Sequence, residues 1–308
     1  MQCSNKLLQA YRIFRVRYRF LNVLAAMGGL LAVLAACWLW GSRYDAARSA
    51  AASPSATVQD PDTQLDYLAI SRWDQDTDPA NAVTVDLSGC DGSCEITAGG
   101  DYLLTGKLQG RVHILAKKES VHLFLQDAEI VSDSGPALYC EEAEKLTVTL
   151  LPGSENVLSD SADYRTAEEQ DACLQAECDL SLNGSGALRV NGFYQDAVRS
   201  KDVLRIVEGS YTVKCKRTAF HGNDGIHITG GSFDIASEKN GFKTTKTGAD
   251  GRGDIVLTGG KLALVAGRYG FYAQKEDVYI RGCTVSQNCI VETVKCAGEQ
   301  VIEEGCIS

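Results

Sequence analysis

The chain has 308 residues, 44% of them hydrophobic, with 30 glycines against 5 prolines. That is enough apolar material for a large core and points to a turn-rich architecture. Residues 1–40 hold Lys6, Arg12, Arg15, Arg17 and Arg19 and no acid, so the remainder carries 25 basic and 40 acidic residues; a body with that balance of −15 repels phosphate, which excludes nucleic acid as a partner.

Residues 1–19 read as a basic cytoplasmic segment. Phe20 to Trp40 is uncharged, with Asn22 as its only strongly polar side chain, and as a helix it would span about 30 Å, the thickness of a bilayer core. Trp38 and Trp40 stand at one end and the arginines at the other, which predicts a single-pass transmembrane signal anchor over 20–40. The N-terminus is then cytoplasmic and the main domain extracytoplasmic, at the cell membrane. Leu34-Ala35-Ala36-Cys37 also resembles a bacterial lipobox in which Cys37 would be lipidated, although Trp38-Leu39-Trp40 continues the apolar run past it. Both readings put the working domain outside. Residues 41–81, with Pro54, Pro61 and Pro79, show no sustained period and read as a flexible tether; Leu65 to Ile70 is expected to form a short helix or strand against the first coil.

Residues 82–308 repeat. Turn positions 186, 209, 231, 260 and 283 are spaced 23, 22, 29 and 23 apart. A small residue before a larger apolar one recurs in phase, as Ala197-Val198, Ala219-Phe220, Gly241-Phe242 and Gly270-Phe271. An acid ahead of an apolar pair follows at Asp179, Asp202, Asp224, Asp254 and Asp277; coil on coil these acids would stack into a like-charge column, and Asx turns are their expected role. The one longer step holds the loop 246–253. Units this short leave no room for a helix, and three in-phase markers predict a solenoid. The fold class is therefore all-β: a right-handed parallel β-helix with three short strands per coil.

Asp171 to Leu174, Leu180 to Gly186, Leu188 to Gly192 and Ser200 to Leu204 resemble the bacterial carbohydrate-binding-domain proteins of parallel β-helix fold, themselves similar to family 9 pectate lyases. The likeness covers about residues 83–285. It implies an extracellular module for plant polysaccharide, with calcium held by acids at one corner. The family's corner unit, Asp-Gly-Ile, becomes Asp196-Ala197-Val198, Thr218-Ala219-Phe220, Asn240-Gly241-Phe242 and Tyr269-Gly270-Phe271 here. Asp196 and Asn240 keep an oxygen at that corner, and with Asp202 and Asp224 they are the candidate metal ligands. Calcium takes six to eight oxygens, several of them charged, so this set is thin.

Strand alternation locates a candidate binding face. With Val198, Phe220, Phe242 and Phe271 inward, Arg199, His221, Lys243 and Tyr272 point outward, and so do Lys201, Asn223, Thr245 and Gln274. This stripe carries three permanent cations, amides and an aromatic ring and no carboxylate, which suits a linear sugar chain with or without uronates; a merely solvated face is the alternative. The function expected is non-catalytic polysaccharide binding. A calcium-dependent pectate-type lyase with Lys243 or Arg199 as base, and a structural or adhesive envelope protein, are the alternatives. The ten cysteines after the anchor, four of them from Cys283 to Cys306, predict two or three disulfides near the ends and a Cys-rich C-terminal cap.

Overall fold

Short segments in which apolar and polar residues alternate build three ladders of parallel strands, each strand pairing with its equivalent in the next coil. The computed structural model describes residues 65–164, 170–246 and 250–308. The expected cytoplasmic segment and anchor, and the tether up to residue 64, lie outside the described residues, as do residues 165–169 and part of the loop 246–253. Among the described residues no helix is long and apolar enough to cross a membrane.

The first ladder stacks Ala187–Gly192, Ser210–Cys215, Ser232–Ser237, Lys261–Ala266 and Thr284–Cys289. The second runs from Ser93–Ile96 through Asp196–Ser200, Thr218–Gly222, Asn240–Thr244 and Tyr269–Ala273 to Glu292–Cys296. The third stacks Lys145–Leu150, Asp179–Gly184, Val203–Ile206, Gly225–Ile228, Ile255–Leu257, Val278–Ile280 and Gln300–Ile302. In the early coils, Ser120–Val131 belongs to two ladders at once: its first half pairs with Lys145–Leu150 and its last residues with Glu155–Ser159. The result is a parallel β-helix with three strands per coil.

Inward residues keep their height from coil to coil. Val198 registers with Phe220, Phe220 with Phe242, and Phe242 with Phe271. The three phenylalanine rings lie 5.2 Å apart and nearly parallel, a stack that supplies aromatic contact beyond simple burial. The small residue before each of them has a steric cause. A Cβ on Gly241 would lie 2.6 Å from the Gly270 carbonyl oxygen and 2.7 Å from Leu264 Cδ1. At the opposite corner Gly231 has φ +101°, a left-handed conformation that glycine adopts at no steric cost.

Two expectations need correction. The five acids do not form a single column, because Val203 registers with Gly225 and Ile226 with Ile255, which puts Asp202 beside Asp224 but moves Asp254 one position along. Nor do they mainly close their own turns: Asp179 accepts the Val203 N–H at 3.0 Å, Asp254 that of Asp277 at 3.0 Å, and Asp277 that of Glu299 at 2.6 Å, each from the next coil. Among the described residues the expected disulfides are not formed. All ten described are free, and several simply fill core positions, as Cys94 does in register with Val112, behaving as small hydrophobes. Cys140 and Cys178 are neighbours at 3.9 Å, well beyond a bond.

From Leu65 onward the segment expected to be tether lies on the solenoid as a strap, crossing the outer side of the third ladder rather than packing on the first coil. Asp66–Leu68 forms a 3-10 turn and Arg72–Gln75 a single helical turn. Tyr67 donates to Asp254 at 2.8 Å, and Arg205 donates to the carbonyls of Tyr67 and Ala69 at 2.7 and 3.1 Å. His227 Nδ1 meets the Leu68 carbonyl at 2.9 Å. The fully buried Asp74 takes Lys145 and Ser181, while the Asn183 amide donates to the carbonyls of Asp74 and Asp76 at 2.8 and 2.9 Å. Burial works to raise the Asp74 carboxyl, but Lys145, Ser181 and Ser71 overcome it and hold the group at about 2.

Candidate functional site

The second ladder aligns its outward residues into one column: Glu95, His113, Tyr139, Gln175, Arg199, His221, Lys243, Tyr272 and Lys295 are mutually in register. At about 4.8 Å per coil it runs roughly 40 Å along the axis. Charge changes along it. At the early end His113 sits between Glu95 at 3.0 Å and Glu141 at 2.8 Å and stacks on Tyr139. At the later end the charged members are the basic Arg199, Lys243 and Lys295.

All eight residues of the expected stripe lie on this side, but not as eight equivalent solvent-facing groups. Arg199 is engaged by Asp171 at 2.5 Å and Lys201 by Glu177 at 2.8 Å, so neither is a free cation. His221 is only 5% exposed and lies beneath the surface. Thr245 links it to Asn223: the Thr245 hydroxyl donates to Asn223 Oδ1 at 2.6 Å and stands 2.9 Å from His221 Nε2. Tyr272 and Gln274 are partly exposed. Lys243 stands apart. It makes no ion pair among the described residues, and its Nζ lies 6.0 Å from the Tyr272 ring. Burial draws its ammonium below the ordinary lysine range, and Arg217 and Arg199 act in the same sense against the pull of Asp196.

The acid beneath the face is Asp196, fully buried at the start of its strand. It accepts Arg217 Nε at 2.7 Å and Nη2 at 2.8 Å, the Thr218 N–H at 2.9 Å and His221 Nδ1 at 3.0 Å. Burial would raise it, yet Arg217 and His221 hold it at about 2. Arg217 also reaches Asp171.

These contacts bear on whether the residues present at this corner fit calcium. Both Asp196 oxygens already serve cationic or N–H donors, and the Asn240 Oδ1, buried and without a hydrogen-bond partner, is a single neutral oxygen. Asp202 and Asp224 belong to the next corner, and Asp224 is occupied by Lys246 at 2.9 Å and Arg252 at 3.4 Å. Among the described residues no three His, Cys, Asp or Glu side chains converge on a metal position. The four residues proposed as ligands do not form one set, and they do not fit an ion that takes six to eight oxygens.

Sequence reasoning missed Arg217, Asp171, Gln175, Tyr139 and Lys295. Lys295 was within reach, since it lies 23 residues beyond Tyr272 and in register with it. Arg217 had no such signal: it precedes its strand, and only the fold brings it over Asp196.

The sequence matches the family described as carbohydrate-binding domain-containing protein over residues 90–306. A carbohydrate-binding domain-containing protein of Acetivibrio thermocellus is 31% identical over 146 residues, 45% of this chain, and the match spans about half (51%) of that relative's length. A solved structure described as the polysaccharide lyase-like protein from C. thermocellum, gadolinium derivative, superposes with a TM-score of 0.68 at 26% identity, covering 73% of this chain and 97% of its own.

Proposed function

The chain belongs to the carbohydrate-binding domain-containing protein family, and from that premise we propose that the outward face of the second ladder binds a linear polysaccharide without cleaving it. The observation that carries this reading is Lys243, a cation without a carboxylate partner among the described residues, beside the partly exposed Tyr272 ring. An ammonium next to an aromatic plane can pair a uronate carboxylate while the ring stacks on a pyranose face. Our reading keeps the right-handed winding expected for parallel crossovers, and an anchor over 20–40 that holds the domain outside the cell membrane.

A second reading, a lyase, draws on the same residue. A lysine whose ammonium is made less stable by burial is a better general base, and the solved relative is described as polysaccharide lyase-like. The corner does not fit calcium, so no step is assigned to a metal.

Affinity electrophoresis of the full chain through gels containing polygalacturonate, xylan or cellulose, each with and without calcium, tests the proposal. Retardation by one of these glycans that is lost in Lys243→Ala and in Tyr272→Ala supports binding at this face. Unsaturated, ultraviolet-absorbing products would favour the lyase. Retardation that survives both substitutions places binding elsewhere, and no retardation in any gel leaves a structural or adhesive envelope role.

A further inference from the structure

Five side chains, Asp196, His221, Thr245, Asn223 and Asp224, run in series beneath this face, and their donors and acceptors can be counted. Asp196 already holds Arg217 and the Thr218 N–H; it is an acceptor only, so His221 Nδ1, 3.0 Å away, must carry a proton. At the other end Asp224, paired with Lys246 and Arg252, is likewise an acceptor only. The Asn223 atom 3.0 Å from it is therefore the amide NH2, which turns the amide carbonyl to Thr245 at 2.6 Å. Thr245 has one hydroxyl proton and gives it to that carbonyl. Its oxygen can then only accept from His221 Nε2, 2.9 Å away. Both ring nitrogens donate, so the arrangement is that of an imidazolium.

We propose that His221 is a proton switch for this face, its protonation setting the direction of the Thr245 hydroxyl and the Asn223 amide and, with them, the charge offered to an anionic glycan. When Nε2 loses its proton to solvent, the Thr245 hydroxyl turns to donate to the bare nitrogen. The Thr245 oxygen then needs a donor from Asn223, and the amide turns over to supply it. That turn sets the amide carbonyl against Asp224 and removes their hydrogen bond, while the column loses one positive charge. The charged groups facing the ring are Asp196 and Arg199 from the preceding coil, Arg217 ahead of its own strand and Lys243 from the next coil. Burial, Arg199 and Lys243 favour the neutral ring and Asp196 the cation, which puts the transition on the acid side of the ordinary imidazole value. The glycan half of this inference rests on the binding reading above; the proton chain does not.

Nitrogen-15 NMR of the full chain, followed from about pH 8 to about pH 4 with the ring identified by its loss in His221→Gln, tests the switch. On the acid side both ring nitrogens should appear as N–H, and the Asn223 side-chain amide should shift with the same midpoint. Thr245→Val should abolish that correlated shift and Thr245→Ser should keep it. Retardation by polygalacturonate should be several-fold stronger below the midpoint than above it, and retardation by neutral xylan should not change. A ring held in one protonation state throughout, or an Asn223 amide indifferent to the ring, overturns the switch. A coupled titration with pH-independent retention on polygalacturonate overturns its control of binding, whereas no retention on any glycan overturns the binding reading and leaves the proton chain standing.

Discussion

Asp196 shows how much one buried carboxylate can organise. It neutralises Arg217, holds His221 and caps the Thr218 N–H. Removing it takes one of two carboxylates from the Arg217 guanidinium, leaving Asp171 alone, and strips His221 Nδ1 and the Thr218 N–H of their acceptor. Asp196→Ala is expected to cost about 3–5 kcal/mol, the range for breaking a buried pair from one side, measurable as a lower urea midpoint. In the core, Phe242→Ala opens the ring stack between Phe220 and Phe271, and about 3–5 kcal/mol should be lost. At the surface, Tyr272→Ala removes a partly exposed ring; its stability cost should stay near that of ordinary surface changes, within about 0.5 kcal/mol, while glycan retardation falls by roughly tenfold.

At the scale of the element, the strap has its own pH dependence. The Asp74 carboxyl is depressed to about 2 in the folded chain, below its unfolded value of about 3.9. The strap's contribution from this group is therefore complete above about pH 4 and is lost as pH falls through about 2. Trp73, on the same turn and largely exposed, is the only tryptophan outside residues 20–40, so its fluorescence anisotropy should drop over that window. In Asp74→Asn the mobile value should already be present near neutrality.

The strands of the later coils were legible because three sequence markers recur in phase and each has a separate steric or hydrogen-bonding cause. Val198, Phe220, Phe242 and Phe271 stack as their spacing implied. Of the strap, a short packed turn within Leu65–Ile70 was legible, but its seat was not: its partners Lys145, Ser181, Arg205, His227 and Asp254 are scattered over more than a hundred residues, and no local period announces them. The candidate face was legible in outline, since alternation fixes which residues point outward. What alternation cannot show is which cations are already paired. Asp171 and Glu177 lie outside the stripe, and only the winding of the chain brings them against Arg199 and Lys201.

For the molecule as a whole, a stack of coils in which each touches only its neighbours should loosen progressively from an end, one rung at a time. The strap changes that prospect. Ten residues of chain, Tyr67 to Asp76, reach from the coil of Asp254 back to the rung of Lys145 and Thr149, so rungs far apart in the stack share one fastening. Fraying at the middle coils then cannot proceed without lifting the whole fastening, and the coils beneath it should come apart together rather than in sequence. Hydrogen exchange in the full chain should show the third-ladder amides from Leu146 to Val256 opening as one unit, and in Tyr67→Phe with Asp74→Asn that unit should break into separate steps.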